Sequence, residues 1–258
     1  MEIGQSRTTN MILRMLGEET CKNIDDYVRE VSSRNFVSFY SEDDVNKVFG
    51  DKFYEFLLSL SEEELMDLRT WSSYNFSNIN SILRGNWTYE QNGILTDDKR
   101  NEYKFLADRI SLLFNKFNGI NVDFITYRGT TLDSFKNYGI NELSQLKCLK
   151  GKYLYEQGFT STSLGEETCY FNKNFKDGKN YNIKLKYLVP SEAEDGILLM
   201  NSGMTHYQNE VEYLIDKGSL TKVMDVEINE ETNTAFITVI FVSKKIYDLN
   251  YNRNRKHN

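Results

Sequence analysis

Val122-Asp123-Phe124-Ile125-Thr126-Tyr127-Arg128-Gly129 is where the chain changes character. From Val122 to Tyr127 its β-branched and aromatic residues read as a strand, with an arginine and a glycine directly after it. Upstream, the spacing is helical. Ser41-Glu42-Asp43-Asp44 opens a stretch carrying Val45, Val48, Phe49, Phe53, Phe56, Leu57 and Leu60 at helical intervals. Ser61 with Glu64 has the form of a capping box ahead of Leu65, Leu68 and Trp71. Thr96-Asp97-Asp98 starts a third helix through Tyr103, Leu106, Ile110, Leu113 and Phe114, and Asn118-Gly119 stops it. Downstream the signals turn short and strand-like: Gly158 to Ser163, Tyr181 to Val189, Glu210 to Ile215, Thr221 to Ile228 and Thr234 to Val242. Helices first and strands later predict an α+β fold, not a βαβ repeat.

Composition removes several function classes. The 258 residues, 40% hydrophobic and 14% aromatic, suffice for a substantial core rich in the 17 tyrosines and 16 phenylalanines. A net charge of -7 argues against a nucleic-acid or anionic-membrane binder. Cys21, Cys148 and Cys169 follow no metal spacing, and with only His206 and His257 no histidine-based metal site is expected. His206 alone would have to serve any serine or cysteine triad, and it reads as a surface residue. There is no run long enough for a membrane span and no recognisable signal peptide between Met1 and Thr20. Glycine-rich dinucleotide fingerprints and phosphate loops are missing too.

Three short stretches carry chemistry: Tyr127-Arg128-Gly129, Phe159-Thr160-Ser161-Thr162-Ser163, and Tyr207-Gln208-Asn209-Glu210-Val211-Glu212. In a strand, Glu210 and Glu212 share a face roughly 7 Å apart, with Val211 and Tyr213 opposite. Such a pair is either a solvated edge or two carboxylates working together, each raising the pKa of the other. By the same alternation Ser161 and Ser163 face one way and Thr162 the other. A hydroxyl there either satisfies local backbone or donates to Glu212 and fixes its rotamer. Arg128 either pairs with a surface acid or offers its fork to a diphosphate. Gly129 allows a flat ring to approach the backbone. A fourth element, Asn80 to Gly85, puts Asn80 and Arg84 on one helix face. Arg84 is then a second diphosphate ligand or a charge favoured by the helix C-terminus.

In this order and spacing the motifs resemble the arginine–serine–glutamate class of mono-ADP-ribosyltransferase toxins, which includes the catalytic components of actin-modifying binary toxins and the Rho-modifying exoenzymes. The resemblance runs from about residue 65 to about residue 220. It implies a single α+β domain in which N-terminal helices (about 1–120) pack on a mixed β-sandwich core (about 121–250) that forms the NAD cleft. It implies NAD as substrate, no metal, and a glycosyltransferase-class reaction. Glu212 is then catalytic, Glu210 the partner that marks arginine as acceptor, and Ser161 the support for Glu212. Arg128, Gly129, Tyr127, Thr162, Ser163, Asn80 and Arg84 would contact NAD, and Tyr207 the protein substrate. After the Ser-Thr-Ser the family usually offers an aromatic and then an arginine. Here Tyr170, Phe171, Lys173 and Lys176 occupy that loop, with Phe171 chosen for the nicotinamide ring and no arginine.

The resulting expectation is a bacterial toxin or effector, secreted or delivered into the host cytosol, that modifies an arginine on a host protein, actin or a small GTPase among the candidates. An NAD glycohydrolase and a catalytically weak NAD-binding module are the alternatives. Transfer to protein is favoured by Glu210 and Tyr207, since hydrolysis needs neither.

Overall fold

Side-chain caps set the helix starts. The computed structural model describes residues 3–4, 6–85, 96–117, 120–166, 181–193, 195–199 and 211–247. Ser6 accepts from the Thr9 amide to open α1 (Arg7–Val31), which Gly17 interrupts at φ +80°. Ser41 accepts from Asp44 N at 3.2 Å ahead of α2 (Glu42–Ser59), whose three acidic residues in the first turn suit the positive end of the dipole. The capping box at α3 (Glu62–Thr70) is complete. Glu64 N donates to Ser61 Oγ at 3.3 Å, and Ser61 N donates to Glu64 Oε2 at 2.7 Å. A π turn (Trp71–Asn75) leads into α4 (Phe76–Leu83), and Thr96 caps α5 (Asp97–Leu113).

Among the described residues eight strands follow: β1 (Phe124–Thr130), β2 (Tyr153–Glu156), β3 (Thr160–Ser163), β4 (Ile183–Val189), β5 (Gly196–Leu199), β6 (Glu212–Ile215), β7 (Ser219–Asn229) and β8 (Thr234–Val242). They hydrogen-bond in the order β2-β7-β8-β4-β1-β3-β6-β5, with β4 and β8 parallel and the other pairs antiparallel. The helix-then-strand order is as the sequence predicts, and the mixed pairing is as the resemblance implies. Two strands, β2 and β5, and the helix α1 are additions to that reading.

One core joins the helices to both halves of the sheet. Phe49 packs edge-on to Phe124 (5.8 Å), and Phe124 edge-on to Tyr213 (5.0 Å), which links α2, β1 and β6. Phe159, fully buried just before β3, meets Trp71 edge-on at 4.9 Å and stacks on Phe114 at 6.1 Å. Aromatic pairs of this geometry add to the area they bury, so the residue that introduces the Ser-Thr-Ser strand is fixed from two helical segments. On a separate cluster, α1 buries Ile24, Val28 and Val31 against Leu220, Ile240 and Val242.

Candidate active site

The sheet pairing brings three distant sequence motifs into one row. Tyr127 of β1 lies opposite Ser163 of β3, and Ser163 opposite Glu212 of β6. Residues 36 and 49 positions apart thereby become cross-strand neighbours. Strands β3 and β6 pair along their full length, and β1 pairs with β4 from Phe124 to Thr130. Between β1 and β3 there is only the Tyr127↔Ser163 pair. Beyond it the ladder opens, with Arg128 and Gly129 on one side and Ser161 on the other.

A side chain bridges that opening. Arg128 Nη1 donates to the Ser161 carbonyl at 2.6 Å. Among the described residues no carboxylate stands within ion-pair distance of this guanidinium, which is half-buried. A partly desolvated arginine held by a carbonyl alone keeps its positive charge unneutralised, which suits an anionic ligand.

Glu212 opens β6 and is 8% exposed. Val211 and Tyr213 on either side are also buried, so this is no solvated edge. A carboxylate in so little water acts on nearby developing positive charge more strongly than one at the surface. Ser161 is half-buried and stands opposite Leu214, diagonal to Glu212 on the same face of the pair. Ser163 is the residue directly across from Glu212, and its hydroxyl donates to Gly165 O at 3.0 Å.

The structure gives other predicted residues work inside the fold. Thr162 turns away from Ser161 and Ser163, as strand alternation requires. Its hydroxyl donates to Tyr213 O at 2.7 Å and lies 2.8 Å from Thr126 Oγ1, so it is spent in the core. Tyr127 is 5% exposed and packs with Ile125, Phe36 and Leu188. Both ends of the Asn80 amide are engaged by Phe159: Phe159 N donates to Oδ1 at 2.8 Å, and Nδ2 donates to Phe159 O at 3.1 Å. Asn80 therefore aligns the approach to β3. Arg84, at the C-cap of α4, points to the same connection and binds Glu156 Oε1 through Nε at 2.9 Å. Gly129 sits opposite Lys184 on β4. Glu210, Tyr207, Phe171, Tyr170, Lys173 and Lys176 lie outside the described residues.

Three residues that the sequence reading passed over adjoin this site. Glu156 accepts from Arg84 and from Gly158 N (2.8 Å). Gly158 has no room for a side chain, since a Cβ would lie 2.5 Å from Asn80 Oδ1. Buried Tyr187 has its hydroxyl pKa pushed up to about 12 by burial. The charges of Arg128 and Arg84 pull it down and that of Glu156 pushes it up. The only sequence signal for the first two was their position just ahead of Phe159. Among the described residues there is no group of three or more metal-ligating side chains and no helix long and apolar enough to cross a membrane.

Solved structures with this fold include the C3 exoenzyme of Clostridium limosum (TM-score 0.59, 22% identity, 81% of this chain and 98% of that one). C3stau2 of S. aureus, determined with NAD, gives a TM-score of 0.61 at 18% identity over 82% of this chain and 100% of its own. The enzymatic component C2-I of the Clostridium botulinum C2 toxin gives 0.58 at 20% identity, with 81% of this chain covering 50% of that one. Comparison of the sequence with curated proteins returned no match. Residues 46–244 match the ADP-ribosyltransferase exoenzyme family, and over that span, which holds every motif of the row as well as Arg84 and Arg128, the chain belongs to it.

Proposed function

We propose that this chain is a bacterial toxin enzyme that transfers ADP-ribose from NAD to an arginine side chain of a host protein and releases nicotinamide. The observation that carries the reading is the row Tyr127–Ser163–Glu212, with Arg128 at the opening beside it. NAD as substrate fits a site with one buried carboxylate and a half-buried guanidinium bonded to the Ser161 carbonyl.

In this reading Arg128 and Arg84 hold the diphosphate. The bond from the ribose C1′ to the nicotinamide nitrogen breaks, and its electron pair leaves with neutral nicotinamide. The ribose becomes an oxocarbenium-like cation, which Glu212 stabilises through a ribose hydroxyl, as carboxylates do in glycoside hydrolysis. Ser161 or Ser163 holds the Glu212 carboxylate in position. The acceptor guanidinium carries a full positive charge and is a poor nucleophile until it loses a proton. Glu210 takes that proton as the new carbon–nitrogen bond forms at C1′. Actin and small GTPases are candidate host proteins.

The test is incubation with labelled NAD and eukaryotic lysate, beside Glu212→Gln and Glu210→Gln. The expected result is a labelled protein whose label neutral hydroxylamine releases and mild acid does not. Glu212→Gln should bind NAD yet lose transfer by about two to three orders of magnitude, because only transition-state stabilisation is removed. Glu210→Gln should retain nicotinamide release and lose labelling of protein. Near-normal turnover by Glu212→Gln would refute the catalytic assignment. Nicotinamide release without any labelled protein would make the enzyme a glycohydrolase.

A further inference from the structure

The end of β2 carries an acid that the reaction does not use. Glu156 is the last residue of the edge strand β2, paired with Ser219 of β7. One of its oxygens, Oε1, accepts from both Arg84 Nε (2.9 Å) and Gly158 N (2.8 Å). Arg84 belongs to the end of α4, and Gly158 leads through Phe159 into the Ser-Thr-Ser strand. A single carboxylate oxygen thus ties the guanidinium to the strand bearing Ser161.

We propose that Glu156 is a positioning residue for NAD, setting the presentation of Arg84 to the diphosphate; this rests on the transferase reading above. A guanidinium has two edges that can grip two oxygens at once, one along Nε and Nη, the other across its two terminal nitrogens. With Nε given to Glu156, the terminal edge remains, and among the described residues it has no acceptor. That edge matches two phosphate oxygens. Rotation about the last side-chain bonds is arrested before ligand arrives, which reduces the entropy lost on binding.

A purely structural role fits poorly. The side chains of Arg84 and Glu156 are 34% and 36% exposed, and pairs so open to water contribute little to folding stability. Glu156 should therefore matter more to NAD affinity than to melting temperature.

Calorimetric titration of the whole chain with NAD, together with nicotinamide-release kinetics, tests this. Glu156→Ala should weaken NAD binding about fivefold to tenfold, a coupling typical of residues in direct contact. The loss should fall on KM more than on kcat. Glu156→Gln keeps an acceptor oxygen and should recover most of the affinity. Arg84→Ala should weaken binding at least as much, and adding Glu156→Ala to it should cause no further loss. Unchanged affinity in Glu156→Ala, or effects that multiply in the double variant, would overturn the proposal. Wild-type chain that binds NAD without releasing nicotinamide would refute the transferase reading alone, while the affinities still decide the role of Glu156. Wild-type chain that does not bind NAD would overturn both.

Discussion

Gly158→Ala is the most demanding test of how the Ser-Thr-Ser strand is held. The added Cβ would lie 2.5 Å from Asn80 Oδ1 and 3.1 Å from Asn80 Cγ, so the amide must move. That amide makes two buried bonds with Phe159, at 2.8 and 3.1 Å. Leaving buried polar groups unpaired costs about 1–3 kcal/mol each, and forced overpacking costs a similar amount. Partial relaxation brings the expected loss to about 2–4 kcal/mol, or about 5–15 °C in melting temperature for a chain of this size. Thermal unfolding followed by circular dichroism gives the number. The decisive comparison is with Asn80→Ala. Once Oδ1 and Cγ are gone, the nearest remaining neighbour of the new methyl is Arg84 Nε at 3.5 Å, an ordinary contact. Gly158→Ala should then cost less than about 1 kcal/mol in the Asn80→Ala background. An equal cost in both backgrounds would refute the contact as the cause. Nicotinamide release should fall with the first substitution, because Ser161 stands only three residues beyond the displaced backbone.

Other outcomes follow from the same geometry. Arg128→Lys should raise KM for NAD and lower kcat together, since one ammonium cannot serve both the Ser161 carbonyl and a phosphate; steady-state kinetics would show a change in one constant alone if this is wrong. Gly196→Ala should destabilise the fold by about 3 kcal/mol or more, because a Cβ at Gly196 would overlap the hydroxyl end of Tyr213, which is itself fully buried; urea unfolding measures it, and a wild-type midpoint would contradict the packing. Asp195 has its pKa raised above 3.8 chiefly by burial, with Lys244 and Ser243 opposing the shift. The folded state then holds a proton that the unfolded chain has released, so stability falls as pH rises from 3.8 through the raised value. Asp195→Asn should flatten urea midpoints measured between about pH 4 and pH 7, and an unchanged slope would assign the pH dependence elsewhere.

Local signals made much of the fold readable. Ser41, Ser61 and Thr96 cap the helices they were expected to start, because a cap is decided by a few adjacent residues. The elements that escaped notice lack an uninterrupted apolar period. Gly17 interrupts α1, and its apolar contacts lie mostly in its second half, at Ile24, Val28 and Val31. The four residues of β2 are all half-buried and those of β5 all buried, so neither alternates with the period of two that marks a strand. The site divides in the same way. Alternation correctly set Thr162 apart from Ser161 and Ser163, whereas the identity of the serine opposite Glu212 depends on strand register. Asn80, Thr162 and Tyr127 look like ligands in a motif, yet their engagement by Phe159, Tyr213 and the Phe36–Leu188 cluster exists only once the chain is folded.

The motif order itself has a physical cause in the sheet. A site between β1 and β3 needs their ladder to part, yet the strands must stay in register if Glu212 is to stand at a fixed place. One backbone pair, Tyr127↔Ser163, provides the register. Past it, Arg128 bonds Ser161 O with a side chain where a continuous ladder would use backbone. A side chain can share itself with an arriving anion in a way that a peptide group in a ladder cannot. The aromatic before the arginine is buried at that pair. Tyr-Arg-Gly on β1, Ser-Thr-Ser on β3 and the glutamate on β6 thus meet where the sheet is joined by one pair and opened beside it.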